Sequence, residues 1–213
     1  RIPTTAVLDV PQLTGTPGAQ NSIAQPNIGP TYRVFGHFPV TPSNQEEVIV
    51  SVQAQDPDGV AAMTLWWNEN GGVWNSVVMQ AGNDGHFQGT IPAHASVGVV
   101  QFYVEGQDTL GTVSTFPAAG ADSRALYQVD NGRGPDTAID KLRIVMLRAD
   151  NQSMMSSVNR MSNHFRPTTL VHNDRAFYDV SVRLVGSRWI RPNSGYKVRF
   201  HPDNAFYGVH DSI

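Results

Sequence analysis

The chain of 213 residues contains no cysteine, which excludes disulfides, thiolate metal sites and a cysteine nucleophile. Lysine is nearly missing too: of 15 basic residues only Lys141 and Lys197 are lysine, and the rest are arginine. No apolar run approaches the ~20 residues that span a bilayer. The formal net charge of −3 lacks the basic footprint of broad nucleic-acid binding. Neither a Gly-x-Ser-x-Gly elbow nor a His-Glu-x-x-His motif occurs, so the common hydrolase and zinc-protease signatures are absent.

What is there is a folded composition, 40% hydrophobic and 15% charged, with 19 Gly and 14 Pro. Such a turn-rich chain favours β structure, and its length suits one or two domains of about 100–150 residues each. Residues 1–30 carry Pro3, Pro11, Pro17, Pro26 and Pro30 with Gly15, Gly18 and Gly29 between them. That spacing denies helix and central strand and predicts an extended arm or linker. Within it, "TAVLDV" has the β propensity to add as a strand to a neighbour. The start at Arg1 without Met and the end at "GVHDSI" read as those of a piece of a longer protein.

Residues 31–130 predict a β-sandwich. In "EEVIVSVQAQ", Val48, Val50, Val52 and Ala54 alternate with Ser51, Gln53 and Gln55, the pattern of a half-buried strand. The turns "DPDG", "GG" and "NDG" separate "VAAMTLWW", "VWNSVVMQ" and "HFQGTI"; "VGVVQFYVEGQD", "GTVSTFP" and "RALYQVD" complete the run. Seven or eight short strands with turns every 8–12 residues imply two packed sheets. "NGRGPDTAID", residues 131–140, is a linker. Residues 141–213 then predict a partial α+β segment. "KLRIVML" is a strand, and "ADNQSMMSSVNRM" is a helix with Met154, Met155, Val158 and Met161 on one face and Asp150 or Asn151 as cap. Strands "TTLVHN" and "AFYDVSVRLVGS" turn at Asn173 and Asp174, and "GYKVRF" is the last strand.

"VQAQDPDGVAAMTLWW", "GHFQGTIP", "VVQFYVEGQDTLG" and "ALYQVD" together resemble the immunoglobulin-like or fibronectin type III-like modules of bacterial surface and exported proteins. "NDRAFYDVSVRLVGSRWIRPNSGYKVRFHPDNAFYGVH" resembles the opening of a CotH-type domain, the kinase-like family named for a spore-coat protein. Arg183, Gly186 and Ser187 match that family's Arg-x-x-Gly-Ser strand end, and Tyr196 to Phe200 match its Tyr-Lys-hydrophobic-basic-Phe strand. Asn193 and Ser194 stand where paired lysines often occur. The resemblance implies a kinase-like N-lobe, with ATP and Mg²⁺ used in the full-length parent and the metal-holding carboxylates in a later lobe. The immunoglobulin-like resemblance implies an exported or cell-surface location.

Phosphate handling needs cations and backbone N–H donors. Gly186 and Ser187 at a strand end, with Arg183, Arg188 and Lys197 as counter-charges, are the candidates. The alternative is a plain ribbon whose basic side chains alternate outward. "DPDG" and "GNDGH" offer too few oxygens for Ca²⁺ and read as turns. His201, Asp203, His210 and Asp211 match no zinc spacing. Of Trp66 and Trp67 one must point inward and the other outward. The outward ring, with Trp74 or Tyr103, is a candidate carbohydrate platform or subunit contact. No cofactor is expected in residues 1–213 themselves. The expected function is a structural or interaction module, for assembly or adhesion, meeting copies of itself, neighbouring surface proteins or glycans. The alternative is an accessory domain and N-lobe of a CotH-type protein kinase.

Overall fold

The structure, a computed structural model, describes residues 27–130, 141–186 and 195–213. The arm up to residue 26, the 131–140 linker, and Ser187, Arg188, Asn193 and Ser194 lie outside the described residues. The chain is mainly β, in three antiparallel sheets.

The first sheet takes the order β1-β2-β6-β5 from β1 (Thr31–Phe38), β2 (Val48–Gln55), β5 (Gln80–Ala81) and β6 (His86–Ile91). The second takes the order β4-β3-β7-β8 from β3 (Val60–Glu69), β4 (Asn75–Val78), β7 (Val99–Asp108) and β8 (Val113–Phe116). β9 (Leu126–Gln128) pairs with the opposite end of β7 on the edge that β8 occupies, so β8 and β9 are two halves of an interrupted strand. Alternation decides the faces. Val48, Val50, Val52 and Ala54 of β2 point into one core with Met63, Leu65, Phe102 and Val104 of the facing sheet. Each of the Val, Leu, Met and Phe side chains among them contributes about 1.5–3 kcal/mol by leaving water.

"VWNSVVMQ" is not one strand of one sheet. It divides at Met79: β4 lies beside β3, and β5 crosses to β6. Met79 is buried between them, which anchors the crossing.

The third sheet is a meander, β10 (Leu142–Val145), β11 (Arg166–His172), β12 (Arg175–Leu184) and β13 (Tyr196–Arg199) in sequential order. One face packs Leu170, Phe177, Val180, Val182, Leu184 and Val198 with Met154, Phe200 and Phe206. The helix α1 spans only Arg148–Met155. Of the expected methionine face Met154 is buried, whereas Val158 and Met161 are 85% and 42% exposed. Ser and Asn end it early. Ser156 Oγ and Asn159 Nδ2 both donate to the Ser153 carbonyl, which competes with further helical bonding. Neither Asp150 nor Asn151 caps the helix. Leu147 occupies that position without a side-chain bond, and Asp150 serves elsewhere.

The opposite face of the meander is docked on the sandwich. Val145, Val171 and Ala176 pack with Leu126, Val99 and Val40. Tyr178 reaches the first core, with its ring 5.1 Å from Phe35 and 5.8 Å from Phe102. Main-chain groups in the gap before β9 complete the junction. Thr169 Oγ1 accepts from Leu126 N (2.9 Å) and donates to the Arg124 carbonyl, and the Asp179 carboxylate accepts from Arg124 N. Arg124 Nε in turn donates to Asp150 Oδ2 at 2.7 Å. Among the described residues no helix is long and apolar enough to cross a membrane.

Candidate functional site

The outer face of the second sheet gathers three aromatic rings. Trp66 and Tyr103 are register partners on β3 and β7. Their rings are nearly parallel, at 8° and 6.2 Å between centroids. Trp74 closes on Tyr103 edge-on at 5.1 Å and 73°. The tight β3–β4 turn brings it there: Asn70 and Gly71 take positive φ (52° and 77°), and Gly71 N donates to Asn68 Oδ1. Glycine suits Gly71 because a side chain is strained at that φ. Trp67 points the other way and packs against the core. Trp66 Nε1 is buried and, among the described residues, has no hydrogen-bond partner. Burial and the neighbouring Glu105 raise the Tyr103 hydroxyl above its usual range, so it stays a neutral donor. Flanking polar positions on this face are Ser76, opposite Trp66, and Thr64 beside Glu105.

The phosphate candidates sit on the meander. Arg183 and Lys197 are directly opposed across β12 and β13, with Arg199 two residues on. Arg183 is partly engaged: its Nη1 donates to Asn163 Oδ1 at 3.2 Å and to the Leu184 carbonyl, and its guanidinium lies 5.4 Å from the Phe165 ring. Arg199 covers the same ring at 4.3 Å. Gly186 has φ 117° at the strand end. Ser187, the fourth candidate, lies outside the described residues. The three cations thus share one face of a ribbon, and among the described residues no carboxylate forms a salt bridge with them.

The fold also assembles a group the motifs did not flag. Glu69 Oε1 accepts from His94 Nδ1 at 2.7 Å, and His94 Nε2 takes the Tyr127 hydroxyl at 3.1 Å. A carboxylate–imidazole–hydroxyl chain has the connectivity of a nucleophile relay. Tyr127 is fully buried, however, and burial with the Glu69 charge pushes its hydroxyl far above the ordinary phenol range. A substrate cannot reach it. The chain braces the segment before β7 against β9. No local motif signals it, since the three residues come from distant strands and a loop.

A cleft of about 910 Å³ separates the sandwich end from α1 and β13. It is lined mainly by apolar residues, among them Leu142, Ile144, Met154 and Tyr196, with Arg148 and Asn151 at its polar side. Among the described residues no three His, Asp or Glu side chains converge to hold a cation. His201 and Asp203 approach at 3.4 Å but are largely exposed. No protein-family model matches this chain, and no curated protein is significantly similar to it.

Proposed function

We propose that the chain is an interaction module of an exported or cell-surface bacterial multidomain protein, serving assembly or adhesion through the outer face of its sandwich. The aromatic group of Trp66, Tyr103 and Trp74 carries this reading. Rings held on a rigid sheet offer apolar area at small entropic cost, and π faces suit the C–H faces of sugars or an apolar partner surface. The strand order supports the immunoglobulin/fibronectin type III-like identity of the sandwich. Lettered in sequence, β1, β2, β6 and β5 take places A, B, E and D, and β3, β7 and β8 take C, F and G, with β4 beside C. The test is tryptophan fluorescence during titration with soluble bacterial polysaccharides, alongside sedimentation of the protein alone. A saturable change, or self-association, that Trp74→Ala removes is expected. A response to neither sugar nor concentration overturns the reading.

A second reading is favoured by the opposed Arg183 and Lys197 near Gly186. In it residues 141–213 are the opening lobe of a CotH-type ATP-dependent phosphotransferase. Arg183, Gly186, Ser187 and Lys197 would face the phosphates, while Mg²⁺-holding carboxylates come from outside this chain. Labelled ATP and Mg²⁺ given to the full-length parent should label it, and Lys197→Ala should abolish labelling. Equal labelling of both, or none, removes this reading.

A further inference from the structure

The sheet edges are treated differently. β1 breaks its register with β2 between Arg33 and Gly36 and carries a charge there. β8 is covered by residues 29–32: Ser114 Oγ donates to the Pro30 carbonyl, and the Tyr32 hydroxyl donates to the Ser114 carbonyl. β13 is closed by the segment 211–213, since Val198 and Ile213 exchange both backbone bonds. β10 carries Arg143. Among the described residues β4 has none of these guards. All four of its residues are exposed, and from Asn75 through Ala81 the strand and its continuation hold neither charge nor proline. Unblunted edges of this kind are templates for another strand.

The register shows which groups are free. Met79 N donates to the Met63 carbonyl, so Met79 and Met63 form a hydrogen-bonded pair. Bonding alternates along an antiparallel ladder, so Val77 and Asn75 turn their backbone groups to Leu65 and Trp67 of β3. Asn70 N donating to the Val99 carbonyl sets the same phase, because it turns Trp66 and Thr64 toward β7. Ser76 and Val78 therefore direct N–H and C=O away from the sheet, and among the described residues nothing meets them.

We propose that a second copy of this chain pairs antiparallel along β4, on a two-fold axis through Val77. Ser76 of each copy then meets Val78 of the other, giving four backbone hydrogen bonds, and Val77 faces Val77 of the second copy. The partner follows from symmetry and charge. An isologous pairing matches these donors and acceptors automatically, and a neutral strand neither repels its own copy nor selects a charged peptide. Joining the edges also places the two aromatic groups on one continuous outer face. The inference rests on the interaction-module reading and names its partner.

A cysteine-free chain makes the test direct. Two Val77 positions in a non-hydrogen-bonded pair would have Cα atoms about 4.5 Å apart, within the disulfide range. Under mild oxidation Val77→Cys should form covalent dimers at least tenfold faster than Val113→Cys, whose position is also exposed but on the covered β8 edge. Ser76→Pro removes only an outward N–H. It should keep the β circular-dichroism signal and raise the dimer dissociation constant, by sedimentation equilibrium, at least tenfold. Equal crosslinking of the two cysteine variants, a wild-type protein monomeric at all concentrations, or a dimer indifferent to Ser76→Pro overturns the proposal. Sugar binding by a strictly monomeric protein would sink the edge pairing and leave the interaction reading standing.

Discussion

His37 and Tyr178, 141 positions apart, hydrogen-bond across the junction of sandwich and meander at 2.6 Å. Because His37 Nε2 lies 3.1 Å from the Val40 carbonyl, which can only accept, that nitrogen holds the proton. Nδ1 is then the acceptor of the Tyr178 hydroxyl, and His37 is neutral in the folded chain.

That assignment gives a pH dependence. Burial lowers His37 from 6.5 to about 4. The unfolded chain therefore binds the extra proton first as pH falls. The stabilisation is complete above about pH 6.5, shrinks as pH drops, and is exhausted near pH 4, a loss of about 3 kcal/mol. Urea melts between pH 7 and 4 should show the slope, and His37→Gln should flatten it.

Thr169→Val keeps the shape of a buried side chain while removing the hydroxyl that serves both Leu126 N and the Arg124 carbonyl. The buried Leu126 amide loses its acceptor, which costs about 1–3 kcal/mol, while the Arg124 carbonyl keeps the bond from Asp179 N at 3.4 Å. Hydrogen exchange should speed at Leu126 before the sandwich strands β2 and β6 are affected.

Gly106→Ala should be among the most damaging small substitutions. A Cβ there would stand 2.6 Å from the Tyr32 hydroxyl and 2.8 Å from Met63 Sδ. Overpacking of this kind costs about 1–3 kcal/mol, read as a lowered midpoint in chemical denaturation.

Trp66→Phe should be mild by contrast, because it deletes a buried N–H that has no acceptor among the described residues and so relieves a desolvation penalty while losing ring area. Trp67→Phe, which thins the core packing, should destabilise more. Reversed order in thermal melts would count against the orphan assignment.

Asp150→Asn breaks the half-buried ion pair with Arg124 and leaves that guanidinium with carbonyl acceptors only. The expected cost is about 1 kcal/mol, with a smaller difference from wild type at high salt.

The alternation of Val48, Val50, Val52 and Ala54 was enough to read β2 and its buried face, because period-2 burial is written locally. The same holds for the opposed faces of Trp66 and Trp67. The helix end was not legible, since the methionine spacing runs on past Met155 while Ser156 and Asn159 divert the backbone. Nor was the crossing at Met79, where an unbroken β pattern hides a change of sheet. The aromatic group was half legible: Trp74 is near in sequence, but its ring is placed against Tyr103 by a turn and a register pairing. The Glu69–His94–Tyr127 chain and the His37–Tyr178 bond depend on strands far apart in sequence, and no local spacing encodes them.

The place of β9 at the edge of its sheet has a consequence for how the two units are joined. Bonding alternates along an antiparallel ladder: Phe102 N donates to the Ala125 carbonyl and Val129 N to the Gly98 carbonyl, so Leu126 turns its backbone groups out of the sheet. The amide and carbonyl of Arg124 and the amide of Leu126 are taken by Asp179 and Thr169. At these three bonds the sandwich addresses its neighbour in main-chain groups, whose chemistry does not depend on which side chain position 124 carries. A substitution at Arg124 can therefore remove the ion pair with Asp150 and still leave this part of the joint in place.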